Sequence, residues 1–298
     1  MRATAAANRV ASALAPAVWL ACLAVPLAAF VLVASLPAHF GRLFGWRLAA
    51  YAPTLFQRLL CTGLRVRMRR HGDLIPAGMR LIVANHVSWL DIPVLGSLAP
   101  MAFLAKKEIS AHLVGRRLAG LQGVVYVDRK CRGCIPVVNA AMVEAMRAGA
   151  PVVLFAEATT GDGNRLLRFR SSHFEAIRLA ALSDKERIAF IQPVFLNYSR
   201  LAGLPILRRD RPRVAWYGDV SFLPHLFRYV RSGGATCDVY CGAPIPISAG
   251  ADRKAAARAT EAAVRKLAAR ARAGGIFLGQ ENAYIEGTET AYCPNRTR

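Results

Sequence analysis

A histidine and an aspartate five positions apart are the residues of this sequence best suited to acid–base chemistry. They are His86 and Asp91, within the stretch LIVANHVSWLDIPVL. The apolar run before the histidine predicts a buried strand that ends just ahead of it. If His86 lay in the helix that follows, a spacing of five would turn Asp91 about 140° away from it. We therefore predict that His86 lies in the loop before the helix, that Ser88 is the N-cap, and that Asp91 lies in the first turn.

In this arrangement the Asp91 carboxylate accepts the proton of one imidazole nitrogen, which fixes the tautomer. The other nitrogen is then a base for a substrate hydroxyl, as in a Ser-His-Asp triad whose nucleophile comes from the substrate. Two alternatives stay open on spacing alone. Either the pair is a satisfied hydrogen bond without catalytic function, or Ser88 is itself a nucleophile, although it lacks the setting of a nucleophile elbow.

Short apolar runs alternate with helical stretches after residue 62, and this predicts an α/β fold with a mostly parallel sheet covered by helices on both faces. Reacting groups in such a sheet belong in loops beyond the carboxyl ends of the strands. Asn85–His86, Asp128–Arg129 and the loop after Phe155 all follow predicted strands. The predicted strands are 64–70 (an edge strand with a basic outer face), 80–84, 102–105, 123–127, 151–155, 189–195, 213–218 and 236–241. The predicted helices are 89–98, 108–119, 134–148, 172–182, 222–231 and 252–272.

The N-terminal segment, residues 1–62, is predicted to be a membrane anchor followed by a helix in the interface. Residues 10–41 carry no Asp, Glu, Lys or Arg and exceed the ~20 apolar residues that span a bilayer. Residues 42–60 mix large apolar side chains with spaced arginines, which favours an interfacial helix. A cleaved signal peptide is the alternative. Arginines after the anchor predict an inner (cytoplasmic) membrane protein whose catalytic domain faces the cytoplasm, where its seven cysteines are reduced. The pairs Cys131–Cys134 and Cys237–Cys241 leave a structural zinc site or a redox pair open as the alternative.

The chain is strongly basic, with 40 Lys and Arg against 18 Asp and Glu and a formal net charge of +22. Such a chain is suited to phosphate-bearing partners, and we predict an anionic membrane surface rather than nucleic acid. A nucleic-acid binder would also be basic, but the apolar segment, the spread of arginines along the chain and the lack of a basic platform interleaved with aromatic residues argue against that alternative. The remaining chain divides into an α/β domain, 63–275, and a polar tail, 276–298, expected to be poorly ordered.

Four blocks in order resemble the glycerolipid acyltransferase family, to which 1-acylglycerol-3-phosphate acyltransferases belong. The resemblance covers about residues 60–245 and implies an α/β acyltransferase domain. The four blocks are NHVSWLD (85–91), GVVYVDR (123–129), FAEATTGDGNRLLRFRSS (155–172) and IQPVFLNY (191–198), and a further block, FLAKKEI (103–109), is similar to the family's Lys-Glu block.

This resemblance implies an O-acyltransferase that moves a fatty acyl group from acyl-CoA or acyl carrier protein to the free hydroxyl of a lysolipid. The first expectation for the acceptor is 1-acyl-sn-glycerol-3-phosphate, which would give phosphatidic acid. His86 would be the general base and Asp91 its orienting carboxylate. No metal or redox cofactor is implied. Substrate contacts are implied at Asn85, Lys106, Lys107, Arg129, Glu157, Thr159, Thr160 and Arg165.

The third block departs from the family pattern. Ala156 and Ala158 stand where the family has Pro and Gly, and Thr160 stands where the lysophosphatidate enzymes carry Arg, a position for which Arg165 is the candidate substitute. Ala158 matters most if its backbone requires a positive φ, because a Cβ then costs about 1 kcal/mol. The stretch WYGDVSFLPHL (216–226) resembles the bacterial lyso-ornithine lipid acyltransferases. That acceptor is the alternative expectation, and an inactive membrane-associated lipid binder is a further one.

Overall fold

Helices cover both faces of a central sheet in a computed structural model that describes residues 51–76, 78–106, 125–127, 132–183 and 188–273, together with Val18. The helices are α1 (Ala52–Gly63), α2 (Asp91–Gly96), α3 (Ile135–Arg147), α4 (Glu175–Ser183), α5 (Phe222–Arg231) and α6 (Arg253–Ala273). The strands are β1 (Val66–His71), β2 (Met79–Ala84), β3 (Ala102–Lys106), β4 (Val125–Val127), β5 (Val152–Phe155), β6 (Ala189–Leu201), β7 (Leu204–Pro205), β8 (Ala235–Cys241) and β9 (Ile245–Ile247).

The described strands form a nine-stranded sheet in the order β1-β8-β6-β2-β5-β3-β4, with β7 and β9 also paired to β6. The neighbours from β6 to β4 are parallel, whereas β7, β8 and β9 run antiparallel to β6. The α/β architecture with helices on both faces is confirmed. Most of the described pairings are parallel, as predicted, and the antiparallel ones all involve β6, a strand of thirteen residues that pairs with β7, β8 and β9.

Alternate side chains of the central strands enter two separate cores. On β2, Leu81 and Val83 pack in the core under α3, α4 and α6, whereas Ile82 and Ala84 pack in the core under α1, α2 and α5. Both sets are buried, as expected for a parallel strand with helices on each side. Because β2 is held by both cores and by two parallel neighbours, the point at which it ends is fixed.

Two predicted element assignments need correction. Residues 213–218 do not form a strand, since Arg208–Arg213 is a short 3₁₀ helix that contains Pro212. The apolar residues Val214 and Ala215 are buried by packing against the loop after β2 rather than by strand pairing. The predicted helix at 172–182 begins as a 3₁₀ turn, Ser172–Phe174, before α4. The predicted helix at 108–119 lies outside the described residues.

The N-terminal predictions are covered only in part. Residues 10–41 lie outside the described residues except Val18, and within the described part of the chain no helix is long and apolar enough to cross a bilayer. Of the predicted interfacial helix, α1 is described, and Tyr51, Leu55 and Leu59 are exposed beside it and on it. The expectation of reduced thiols holds for three described cysteines but not for Cys134, which is disulfide-bonded.

Candidate active site

The side chain of Asn85 sets the geometry of the loop that follows β2. Its Nδ2 donates to the carbonyl of Leu196 over 3.1 Å, and its Oδ1 accepts the Leu196 N–H over 2.7 Å. The amide therefore pairs with β6 as a peptide group would, while the backbone of Asn85 is released to turn away from the sheet. These contacts give Asn85 a structural role, and its contact with substrate stays a prediction.

Directly after this turn, His86 meets the carboxylate of Asp91. The Nδ1 atom of His86 lies 2.8 Å from Asp91 Oδ2, and the His86 ring stacks on Phe155 with centroids 4.0 Å apart. A carboxylate only accepts, so Nδ1 carries the proton and Nε2 has a free lone pair. Among the described residues none hydrogen-bonds to Nε2. The ring lines a cleft together with Glu157 and Arg165.

Asp91 opens α2 and turns its side chain back over the preceding loop. Besides the His86 contact, Oδ2 accepts the N–H groups of Val87 (2.7 Å) and Ser88 (2.9 Å). The predicted N-cap at Ser88 is wrong: Leu90 occupies that position, and the Ser88 Oγ reaches the Leu90 N–H only at 3.4 Å. A separate N-cap side chain is not needed here, because the Asp91 carboxylate accepts the free N–H groups of Val87 and Ser88 in the loop before the helix.

The second oxygen of Asp91 is held by Tyr198, from the far half of β6. The Tyr198 hydroxyl donates to Asp91 Oδ1 over 2.7 Å. Burial, and then the neighbouring Asp91 charge, raise the pKa of Tyr198 well above its usual range, so the hydroxyl stays protonated and donates. Asp91 is fully buried, and a buried carboxylate is tolerated only when donors of this kind surround it.

Glu157 connects the His86 loop to the loop after β5. One of its carboxylate oxygens accepts the His86 N–H over 2.9 Å and the other accepts the Leu167 N–H over 2.8 Å. Burial raises the pKa of Glu157 to about 7, although both backbone hydrogen bonds oppose the shift. The described contacts of Glu157 connect the two loops and fix their relative position. Its contact with the acceptor stays a prediction.

The loop after β5 folds over the histidine. The Gly161 N–H donates to the His86 carbonyl over 2.8 Å. Ala158 has φ 60°, the positive value that a glycine would adopt without strain, so the alanine costs about 1 kcal/mol here. Two arginines distant in sequence brace the loop: Arg211 donates to the Gly163 carbonyl and Arg272 to the Asn164 carbonyl.

The remaining predicted substrate contacts fall into three groups. Arg165 is exposed and lines the cleft, while Thr159 is exposed and Thr160 is partly buried on the same loop. Lys106 is the last residue of β3, and only its backbone is described. Lys107 and Arg129 lie outside the described residues.

Sequence reasoning missed three residues that shape the site. Tyr198 ends the fourth block, and strand alternation from Val194 and Leu196 would have placed it on a buried face, but no sequence signal pairs it with Asp91. Arg211 and Arg272 carry no local signal at all, because they reach the loop only through the tertiary fold.

The buried carboxylate of Glu157 makes stability depend on pH. A folded-state pKa near 7 lies above the usual 4.5, so the folded state holds a proton that the unfolded chain has already lost. Stability therefore falls as pH rises from about 4.5 to about 7, by up to about 3 kcal/mol. Melting temperatures of detergent-solubilised protein are measured at pH 5 and at pH 8. Between these pH values the melting temperature of the wild type should fall by more than that of Glu157→Gln. Glu144→Gln, which changes an exposed glutamate, is the control, and an equal difference at both pH values for Glu157→Gln would contradict the prediction.

Comparison with known proteins identifies the family. Residues 66–197 match the family model described as Acyltransferase. The lyso-ornithine lipid O-acyltransferase of Brucella abortus (strain 2308) is 37% identical over 223 residues, which cover 75% of this chain and 83% of that protein. The enzyme of the same name from Rhizobium meliloti (strain 1021) is 35% identical over 73% of this chain and 74% of its own length. The 1-acyl-sn-glycerol-3-phosphate acyltransferase of Neisseria gonorrhoeae is 38% identical over only 32% of this chain and 38% of that protein.

A solved structure shares the fold. It is the crystal structure of the 1-acyl-sn-glycerophosphate (LPA) acyltransferase PlsC from Thermotoga maritima, which aligns with a TM-score of 0.63 at 15% identity over 89% of this chain and 98% of that one. With the match to the Acyltransferase model and relatives of 35 and 37% identity along most of their lengths, this chain belongs to the glycerolipid acyltransferase family and is an acyltransferase.

Proposed function

We propose that His86 is the general base of an acyl transfer to a lipid hydroxyl, with Asp91 as its orienting carboxylate. The observation that carries the proposal is the 2.8 Å contact between His86 Nδ1 and Asp91 Oδ2, which leaves Nε2 as the proton acceptor of a ring that lines the cleft. Tyr198, Val87 and Ser88 hold the carboxylate from its other sides. A base held in one tautomer and one orientation is what proton abstraction from a hydroxyl requires.

The proposed reaction has two steps, the formation of a tetrahedral adduct and its collapse. The acceptor hydroxyl gives its proton to His86 Nε2 while its oxygen forms a bond to the thioester carbonyl carbon of the acyl donor. The tetrahedral adduct collapses, the carbon–sulfur bond breaks, and the departing thiolate takes the proton from Nε2. His86 is thereby regenerated, and no group of the enzyme is acylated.

The acceptor we propose is a lyso-ornithine lipid, in place of the lysophosphatidate first expected from sequence. The support is the length of the sequence alignments. The two lyso-ornithine lipid O-acyltransferases align over about three quarters of this chain, whereas the 1-acyl-sn-glycerol-3-phosphate acyltransferase aligns over about one third. Lysophosphatidate is the second candidate, supported by the shorter match to the 1-acyl-sn-glycerol-3-phosphate acyltransferase of Neisseria gonorrhoeae.

The charges beside the cleft are compatible with a zwitterionic headgroup. Arg165 lines both the His86 cleft and an adjoining depression that Asp162, Asn164 and Arg208 complete. Hydrogen bonds from Asn164 lower the pKa of Asp162, so the depression carries a carboxylate as well as arginines. An ornithine headgroup bears one carboxylate and one ammonium group and therefore matches both signs, whereas a phosphate monoester matches only the arginines.

Three further parts of the function are proposed from the sequence. The acyl donor is acyl-CoA or acyl carrier protein, since a thioester is already activated and needs no metal or redox cofactor. The N-terminal segment anchors the chain in the inner membrane, and the catalytic domain faces the cytoplasm and its anionic lipid surface.

Removing the Tyr198 hydroxyl tests whether the support of Asp91 matters for turnover. Tyr198→Phe leaves Asp91 Oδ1 without a donor, and the loss of a hydrogen bond to a buried charge should lower kcat by on the order of tenfold. The KM for the acceptor should stay within about twofold, because Tyr198 does not contact the cleft. Tyr229→Phe is the matched control, as Tyr229 is equally buried but donates to the Leu64 carbonyl away from the site. Equal kcat losses in both variants would reduce Tyr198 to a structural role.

The acceptor is identified by product analysis. Membranes that contain the full chain are supplied with radiolabelled acyl-CoA or acyl carrier protein and, separately, with lyso-ornithine lipid, lysophosphatidate and other lysolipids. We expect ornithine lipid as the main labelled product. Phosphatidic acid as the main product would establish the second candidate, and no product from any acceptor or donor would support the inactive lipid binder.

A further inference from the structure

Helix α5 and the loop before it leave large apolar side chains exposed. Phe222, Leu223 and Phe227 on α5 are 43%, 62% and 40% exposed, and Tyr217 and Val220 on the preceding loop are each 37% exposed. Single exposed apolar residues are ordinary, but five of them within residues 217–227 indicate a contact surface. We call these five residues the α5 surface.

Helix α5 packs on the protein through its opposite side, so its exposed apolar residues are not part of the hydrophobic core. His225 and Tyr229, one turn apart, point into the protein and are fully buried. The His225 Nδ1 accepts from the Trp89 Nε1 over 3.1 Å, and its Nε2 donates to the Ala215 carbonyl over 3.0 Å. One side of α5 therefore packs against Trp89 and Ala215, and the apolar residues on its outer side do not contribute to the core.

Arginines surround the α5 surface. Arg213, Arg228 and Arg231 line one depression together with Phe227. Between residues 206 and 233 the sequence contains six arginines and two aspartates and has no lysine or glutamate. One of the aspartates, Asp210, lies near Arg209 (3.9 Å) and Arg213 (3.8 Å). The other, Asp219, is exposed on the loop between Tyr217 and Val220. The segment therefore combines exposed apolar side chains with a net positive charge, which complements an anionic lipid surface.

The α5 surface, and the backbone of Trp216 just before it, contact the loop that carries His86. The Trp216 N–H donates to the Val87 carbonyl over 2.9 Å, and the Trp89 ring packs edge-on against Phe222 with centroids 5.4 Å apart. Val87 and Trp89 both lie between His86 and Asp91 in the sequence. Whatever the α5 surface contacts is therefore brought next to the reacting nitrogen.

We infer that the α5 surface docks on an anionic bilayer and presents the His86 cleft to acceptor lipid in that bilayer. The inference rests on the proposed function in one respect, since it takes the acceptor to be a lipid. It is separate from the N-terminal anchor, because α5 belongs to the α/β domain. The apolar side chains of the α5 surface enter the interface, and Arg213, Arg228 and Arg231 lie at the level of the headgroups, where each basic side chain strengthens binding about fivefold.

Photo-crosslinking locates the surface without reference to activity. The full chain is reconstituted in vesicles of phosphatidylglycerol and phosphatidylcholine with p-benzoylphenylalanine placed at Leu223 or, as the control, at Val137. Val137 is 70% exposed on α3, which covers the opposite face of the sheet. Lipid adducts at position 223 but not at 137 are expected. Adducts at neither position, or equally at both, would overturn the inference, as would adducts at 223 to added acyl carrier protein in place of lipid.

Substitution then tests the consequence for catalysis. Leu223→Asp with Phe227→Asp should lower the initial rate by roughly tenfold or more with acceptor held in anionic vesicles, since two apolar side chains no longer enter the interface. With a short-chain acceptor dissolved as monomer, the rate should stay within about twofold of wild type. Val137→Asp with Leu182→Asp, two exposed positions on α3 and α4, is the matched control.

The two kinds of failure are distinguishable. Equal losses on vesicles and on monomeric acceptor would show damage to the site rather than to docking and would overturn the inference, as would an unchanged rate on vesicles. If the wild type acylates no lipid in any form, the proposed function fails, and the crosslinking result alone then decides whether the α5 surface meets the bilayer.

Discussion

The site depends on one buried charge, the carboxylate of Asp91. It is withdrawn completely from water, and four donors hold it: two backbone N–H groups, the imidazole of His86 and the hydroxyl of Tyr198. An ion in such a place is stable only if its donors are present together. The carboxylate therefore specifies the conformation of the loop, the tautomer of the histidine and the packing of β6 against the start of α2.

Around this charge, each connection fixes one part of the site to another. Asn85 pairs with Leu196 and so fixes the end of β2, and Glu157 joins the His86 loop to the loop after β5. Arg272, from the last turn of α6, holds that second loop at Asn164. Contacts from β5, β6, α2 and α6 therefore position the His86 ring, directly or through neighbouring residues, with the rigidity that the proposed role as a base requires.

The sequence predicted the parts of this arrangement that have a local or periodic signal. The spacing of His86 and Asp91 and the apolar run before them placed the histidine in a loop and the aspartate in a first turn, as found. The N-cap at Ser88 was wrong because the Asp91 carboxylate takes the free N–H groups itself, and the strand at 213–218 was wrong because burial of Val214 comes from loop packing. Tyr198, Arg211 and Arg272 were missed because their contacts span 48 to 108 positions in the chain. The roles of the site residues and the membrane anchor stay predictions.

The central claim is that His86 takes the proton of the acceptor hydroxyl, and the acyl-transfer turnover of His86→Ala tests it most directly. Full-length protein in membranes is assayed with the acceptor that the wild type uses, beside His71→Ala, which removes an exposed histidine on β1 that stacks on Tyr240. Loss of a general base lowers turnover by about 10²- to 10⁴-fold. We expect a loss of that size for His86→Ala and wild-type turnover for His71→Ala, and full turnover in His86→Ala would contradict the account.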